Sequence, residues 1–176
     1  MNTTTDNRPL VTGLFPDRSS AEAAYEAASE RGYAKEDLNL VMSDETRARH
    51  FSETAVETEL GNKAAEGAGI GGAIGGTLGA IAAAVAAVGT TLALPGLGLV
   101  IAGPLAAAIA GAGAGAAGGG LIGALIGWSI PEARVKDYEE GLKNGGILMA
   151  VRARDEGDAA HLETRWKASN GQHVYR

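Results

Sequence analysis

The residues of this chain that could carry acid–base or metal chemistry are three scattered histidines and a set of carboxylates. The histidines are His50, His161 and His173, and no two of them have the spacing of an HxxxH or HExxH metal site. The chain has no cysteine, which excludes thiolate metal sites and disulfides. The glutamates between 53 and 59 have the spacing of a solvated helix face. We therefore predict no catalytic, metal or cofactor site, no small-molecule substrate and no enzymatic activity.

The dinucleotide-binding pattern GxGxxG occurs three times, beginning at Gly67, Gly113 and Gly118. This pattern predicts a phosphate site only where it follows a strand and opens a helix. No strand is predicted before any of the three matches, and a glycine-rich apolar helix produces them through its composition alone. A nucleotide site is therefore not predicted.

Glycines in the centre of the chain recur at every fourth position, and this spacing predicts a packing surface rather than a reaction. Residues four apart on an α-helix share one face. A face without side chains lets two helix backbones approach closely, which is how helices pair in a membrane. The glycines form two ladders, Gly67, Gly71, Gly75 and Gly79, then Gly111, Gly115, Gly119, Gly123 and Gly127.

The two ladders predict two helical arms, about 63–92 and about 104–128, joined by a turn near Pro95 and Gly96. An arm of this length measures about 40 Å as a helix, against roughly 30 Å for the hydrocarbon core of a bilayer. Trp128 stands where an interfacial aromatic anchor is expected. Bulky residues on the first arm form a separate stripe, which we expect to face lipid or a partner. The stripe consists of Ile70, Ile74, Leu78, Ile81, Val85 and Val88.

Charge is confined to two flanks around this apolar centre. Residues 1–66 carry 7 Lys/Arg and 13 Asp/Glu, residues 132–176 carry 8 of each kind, and residues 67–131 carry none. An acidic chain is a poor match for nucleic acid, so nucleic-acid binding is not predicted. The N-terminus has no basic segment followed by an apolar run, so we expect no signal peptide. A hairpin returns the second flank to the side of the first, and we expect both in the cytoplasm.

The first flank has the pattern of a strand, a helix and a strand. Strands are predicted over 10–15 and 38–42 from their apolar runs and alternation. Between them, Ser19 and Glu22 have the spacing of a capping box that opens a helix, and Gly32 is the expected residue after its end.

The second flank repeats this plan, with strands over 147–153 and 172–176, a helix over 155–168 and an extra helix over 131–143. Neither half buries enough apolar surface to be stable alone, so the two halves must meet. We predict an α+β fold, a ferredoxin-like βαβ plus αβαβ sandwich split by a long glycine-zipper helical hairpin. The predicted regions are a disordered N-terminus (1–9), the first half of the head domain with a helical stem (10–62), the apolar hairpin (63–130) and the second half of the head (131–176).

Short motifs flank the zipper on both sides. They are Val11-Thr-Gly-Leu-Phe15, Ala21-Glu-Ala-Ala-Tyr25, Gly32-Tyr33 and Asp37-Leu-Asn-Leu-Val41, then Ile130-Pro-Glu132, Tyr138-Glu-Glu-Gly141 and Gly145-Gly-Ile-Leu-Met-Ala-Val151. With the glycine-zipper midsection, they resemble the bacterial heat-induced or general stress protein (YflT-like) family. The resemblance implies a stress-associated bacterial protein, and it brings no catalytic residues with it. Pro95 and Pro104 interrupt the zipper, which departs from a single-zipper pattern and favours two arms.

These observations together favour a non-enzymatic, membrane-associated stress-response protein that self-assembles through its zipper. Its expected partners are further copies of itself and the lipid of a bacterial inner membrane, which the assembly would stabilise, scaffold or remodel. Two alternatives stay open: an oligomeric pore or channel, and a soluble self-assembling particle with an apolar, lipid-holding interior. Whether the hairpin spans the bilayer or re-enters it also stays open.

Overall fold

The described part of the chain contains six strands and four helices. The structure, a computed structural model, describes residues 8–51, 91–94, 98–104, 106, 125 and 130–176. The strands are β1 (Leu10–Phe15), β2 (Leu38–Ser43), β3 (Thr91–Leu94), β4 (Leu99–Ala102), β5 (Ile147–Arg152) and β6 (Gln172–Tyr175). The helices are α1 (Arg18–Glu30), α2 (Asp44–Phe51), α3 (Glu132–Lys143) and α4 (Glu156–Ala168), and a short 3-10 turn covers Lys35–Asp37.

All six strands belong to one antiparallel sheet in the order β3-β4-β2-β5-β1-β6. The α+β class predicted from the sequence is confirmed. Strand β5 lies between β1 and β2, with Gly13 opposite Met149 on one side and Leu40 opposite Met149 on the other. The first flank of the chain therefore supplies two strands, β1 and β2, that do not pair with each other. The second flank supplies the strand that lies between them.

Helices cover both faces of the sheet. On one face, α1 and α4 pack over a core that includes Phe15, Met149 and Trp166. On the other, α3 packs through Tyr138 over a smaller core that includes Leu148. This three-layer arrangement follows from the alternation of the strands, because every second side chain of β1 and β5 points to the opposite face.

Aspartates cap the two helices that follow β1 and β5. The Asp17 carboxylate accepts a hydrogen bond from the Ser20 backbone N–H at 2.8 Å, and Asp155 accepts one from Asp158 N–H at the same distance. The predicted capping box at Ser19 and Glu22 is therefore wrong by two residues. Helix α1 begins earlier because Asp17 occupies the N-cap, where an acidic side chain also interacts favourably with the positive end of the helix.

Glycines end α1 and α3, as the sequence predicts. Gly32 has φ +85°, and the flanking N–H groups of Gly32 and Tyr33 bond back to Ser29 and Ala28. Gly145, with φ +90°, ends α3 in the same way. In both cases the chain reverses through a left-handed residue, a conformation that costs glycine little.

The predicted helical stem is described only at its beginning. Helix α2 follows β2 directly, and the Arg18 guanidinium donates to the His50 backbone oxygen at 2.9 Å while lying 5.2 Å from the centre of the Phe51 ring. The start of the stem is thus attached to the head domain. The remainder of the predicted stem, 52–62, lies outside the described residues.

The structure differs from the predicted hairpin at its middle. The sequence predicts that the first arm runs to residue 92 as a helix and that the chain turns near Pro95 and Gly96. Thr91–Leu94 and Leu99–Ala102 are instead strands that pair antiparallel with each other, and β4 pairs with β2. The other residues of the two arms lie outside the described residues, apart from a few near the ends of the second.

The predicted disorder of residues 1–9 falls mostly on residues that the structure does not describe. Its last residue, however, is tied to the sheet: the Pro9 carbonyl accepts a hydrogen bond from Ala153 N–H at 2.8 Å. That bond extends the pairing of β1 with β5 by one step.

Candidate functional site

The residues predicted to carry function all lie outside the described residues. This applies to both glycine ladders, to the bulky stripe and to the proposed interface anchor, so these stay predictions. They are Gly67, Gly71, Gly75, Gly79, Gly111, Gly115, Gly119, Gly123 and Gly127, with Ile70, Ile74, Leu78, Ile81, Val85, Val88 and Trp128. What the structure does describe is how the uncharged segment that contains them is attached to the sheet.

The first attachment is strand β4, which extends the sheet beyond β2. Its four residues are all buried, and Ile101 is completely inaccessible to solvent. The Gly98 carbonyl accepts a hydrogen bond from Asp44 N–H at 2.7 Å, which joins the turn before β4 to the start of α2. The middle of the apolar segment is therefore an integral part of the head domain.

Gly103 makes the close approach at the end of β4 possible. It has φ +101°, and a Cβ at this position would overlap the Leu38 backbone oxygen and press on Asn39. Such a backbone angle strains any residue with a side chain. The glycine is thus needed both for its conformation and for the contact that it allows with β2.

The second attachment lies where the chain returns from the insert. Ala106 and Leu125 are both buried in the core on the α3 face, as is Ile130 just before α3. The Ile130 N–H donates to the Leu125 carbonyl at 3.0 Å. Ala106 and Leu125 therefore lie in the same small core.

A signal for the pair of strands β3 and β4 is present in the sequence. Leu-Val-Ile-Ala contains two β-branched residues that favour a strand, Thr-Leu-Ala-Leu is a second short apolar run, and the Pro-Gly-Leu-Gly segment between them is typical of a turn. The helical periodicity of the residues before them extended formally to Leu92, which favoured a helix there. A β-hairpin of this length needs a partner strand, and β2 supplies it.

A second feature is a cluster of charged and aromatic side chains between α1 and α4, which we call the clasp (Arg31, Tyr33, Arg154 and Asp158). The Asp158 carboxylate is almost buried and accepts from both arginine Nε atoms at 2.7 Å and from the Tyr33 hydroxyl at 2.9 Å. The Arg154 guanidinium also lies 4.6 Å from the centre of the Tyr33 ring. The clasp joins the C-terminal end of α1 to the N-terminal end of α4.

The electrostatics of the clasp follow from this geometry. Burial alone would raise the pKa of Asp158, but the hydrogen bonds from Tyr33, Arg31 and Arg154 outweigh it and lower the pKa to about 2. The bond to Asp158 in turn raises the pKa of Arg154. The Asp158 carboxylate is therefore ionised at neutral pH, and it accepts three hydrogen bonds from side chains of the protein.

On the opposite face, a polar contact connects α3 with β1 and β6. The Tyr138 hydroxyl lies 2.7 Å from Thr12 Oγ1 and donates to the His173 backbone oxygen at 3.0 Å. Burial raises the pKa of Tyr138 to about 12, so the phenol stays protonated. His173 itself has φ +47° and its Nδ1 lies 3.5 Å from Asp137. This strained residue interrupts the regular pairing of the edge strand β6 with β1, and such irregularity protects an exposed sheet edge.

Neither cluster has the features of a reaction centre. Every polar side-chain atom in the two clusters that is buried has a hydrogen-bond partner within the protein. Across the ranges that the structure describes, no three histidine or carboxylate side chains come together as a metal site would require. Both clusters join side chains of the first flank to residues of the second.

Comparison of the chain with protein-family models, with curated proteins and with solved structures gives no match. Among the described helices, none has the length and apolar character needed to cross a bilayer.

Proposed function

We propose that this protein is a non-enzymatic, membrane-associated protein that self-assembles through the glycine faces of its uncharged insert. The observation that carries the proposal is the stretch from 67 to 131, which has no charged residue and repeats glycine at every fourth position over 67–79 and over 111–127. Such faces favour close helix packing, and an uncharged stretch of this length favours lipid or another apolar surface. The α+β head domain holds the stretch in its middle, at β3 and β4, and near its end, at Leu125 and Ile130.

The head domain belongs, in this proposal, to the ferredoxin-like class. The strand order β2-β5-β1-β6, the antiparallel neighbours and the two long helices on one face support it. Strands β3 and β4 then extend the sheet beyond β2, and α3 is an addition on the second face. Contacts between heads would make the protein a homo-oligomer. In the same proposal the protein lies at a bacterial inner membrane, with its head and both termini in the cytoplasm.

The stress-response part of the proposal is supported by the resemblance to the bacterial general stress proteins alone. In this part of the proposal, an assembly of such inserts would stabilise, scaffold or remodel a membrane under stress. A fractionation of cells before and after heat shock, with the amount of protein in the membrane pellet as the readout, tests this part separately.

Self-assembly through the zipper is tested by filling one glycine face at a time. We expect Gly75→Leu or Gly119→Leu to reduce the size of the assembly on native gels, because a bulky side chain on a small-residue face prevents close approach of helices. Ile74→Leu, which places the same residue on the bulky stripe without a change of side-chain volume, is the control and should leave the size of the assembly unchanged. An unaltered assembly in both glycine variants would contradict the zipper.

Membrane association is tested by washing membranes with alkaline carbonate. Retention in the pellet and release by detergent alone would support it. Release as a large particle in water would favour a second candidate, a soluble assembly with an apolar interior, which draws support from the burial of β4 within the head. Dye release from loaded liposomes would instead favour a pore.

A further inference from the structure

Strand β2 is paired on both of its edges, and the two partners come from different parts of the chain. Met42 lies opposite Val100 of β4 on one side and opposite Ile147 of β5 on the other. Strand β4 comes from the middle of the uncharged segment, and β5 follows its end. Backbone hydrogen bonds therefore hold the chain before, within and after the segment in a single sheet.

Hydrogen-bonded strands lie on one side of a bilayer. The first uncharged stretch, residues 67–90, has 24 residues and leads from the charged stem into β3. One crossing within it would separate β3 and β4 from β2, which the pairing forbids. Two crossings would need about 40 apolar residues and a turn. The stretch is therefore too short for two crossings, and the strand pairing excludes a single crossing.

The same reasoning applies to the second uncharged stretch. Residues 103–131 number 29 and connect β4 to α3, which precedes β5 of the same sheet. A single crossing would separate β5 from β2, and two crossings again exceed the available length. The burial of Ala106 and Leu125 in the core on the α3 face shortens the free part of this stretch further.

We propose that this chain meets the bilayer from one side only, with the β3–β4 turn on the same side as the head domain. This inference rests on the membrane association proposed above, and it names one leaflet as the partner. The stretches 67–90 and 103–131 then each begin and end on the side of the head domain. Association of this kind depends on the apolar area buried in the interfacial region and not on a spanning helix.

The absence of cysteine from the chain allows single cysteines to report on sidedness. Pro104 is exposed and directly follows the β3–β4 unit, and Ser29 is exposed on α1 in the head. Full-length Pro104→Cys and Ser29→Cys proteins would be treated with a membrane-impermeant maleimide in right-side-out and in inverted vesicles. We expect both cysteines to be labelled in the same vesicle orientation and both to be protected in the other.

Labelling of Pro104→Cys from the side opposite to Ser29→Cys would overturn the inference while leaving membrane association intact. A second measurement addresses the strand pairing directly. Ser43 and Leu99 lie opposite each other in β2 and β4, so the double variant Ser43→Cys/Leu99→Cys should be cross-linked by a short bis-maleimide in the same membranes. The two single variants are the controls, and failure of the double variant to cross-link would also overturn the inference.

Loss of the protein from carbonate-washed membranes is a different result. It would overturn the proposed function and, with it, the assignment of a lipid partner. The cross-link between positions 43 and 99 would still form in that case, which distinguishes a protein that never meets the membrane from one whose sheet is differently paired.

Discussion

The side chains that hold this protein together connect residues more than a hundred positions apart. Asp158 accepts from Arg31 and Tyr33, and the Trp166 indole donates to the Ala24 backbone oxygen at 3.0 Å. None of these partners could be identified from one sequence, because no local pattern pairs a residue of the first flank with one of the second. The sequence indicated only that the two flanks had to meet.

The clasp makes stability depend on acidity. The pKa of Asp158 is lowered from its ordinary 3.8 to about 2, so its contribution is complete above about pH 4 and is lost as the pH falls toward 2. We expect Asp158→Asn to lower the urea midpoint at pH 7, because it leaves two guanidinium groups without their carboxylate. Urea unfolding of both proteins from pH 7 down to pH 2 checks this, and the difference between them should shrink below pH 4.

Glu30→Gln is the control for the clasp. Glu30 pairs with Arg165 at 3.3 Å between the same two helices, but both side chains are more than half exposed. Exposed ion pairs of this kind contribute little to stability, so the urea midpoint of Glu30→Gln should stay close to that of the wild type. An equal effect of the two substitutions would show that the buried position of Asp158 has no special role.

At the scale of elements, the flanks were predictable, and the strand pair in the middle of the insert was not. Alternation predicted β1, β2, β5 and β6 within one or two residues, and glycines predicted the ends of α1 and α3. The middle of the insert was misread because Leu92 continued a helical stripe, whereas the neighbouring β2 edge made a strand more stable there. Local periodicity says nothing about an open sheet edge, and a short hairpin takes its stability from that edge.

The membership of β4 in the core gives a direct prediction. Ile101 is fully buried, so Ile101→Ala should lower the free energy of unfolding by about 2–5 kcal/mol. Pro104→Ala, at an exposed position three residues further on, should change it by no more than about 0.5 kcal/mol. Thermal or urea unfolding measures both. A negligible effect of Ile101→Ala would mean that β4 does not belong to the core.

Helix α3 gives another prediction, because the packing of the helix on β1 explains a glycine in its interior. A Cβ at Gly141 would overlap the Leu14 side chain of β1. Gly→Ala in an exposed helix stabilises by up to about 1 kcal/mol, but here we expect Gly141→Ala to destabilise by about 1–3 kcal/mol. The same change made in a Leu14→Ala background should lose this cost, and a double-mutant cycle measures the difference. Equal costs in both backgrounds would contradict the overlap.

At the scale of the whole molecule, neither flank contains a complete sheet. Among the strands that the structure describes, β1 pairs with β5 and β6, and both of these come from the second flank. We expect fragments 1–102 and 103–176 to show no cooperative unfolding when separate and to regain it when mixed. The near-ultraviolet circular dichroism of Trp166, which lies edge-on to Phe15 with ring centres 5.7 Å apart, reports the recovery. A cooperative transition in isolated 1–102 would contradict this interlocking.

The position of β5 between β1 and β2 also sets an order of events during synthesis. More than a hundred residues separate Ser43 from Ile147 along the chain, and translation at 5–20 residues per second takes roughly 5–20 s to cover that distance. Throughout this interval β1 and β2 have no central strand, and the whole uncharged segment is made before β5. Long-range pairing of this kind is intrinsically slow. The apolar segment is therefore accessible to a bilayer, a chaperone or another copy before β5 completes the sheet. The nascent chain can bind such a partner before the head domain has folded.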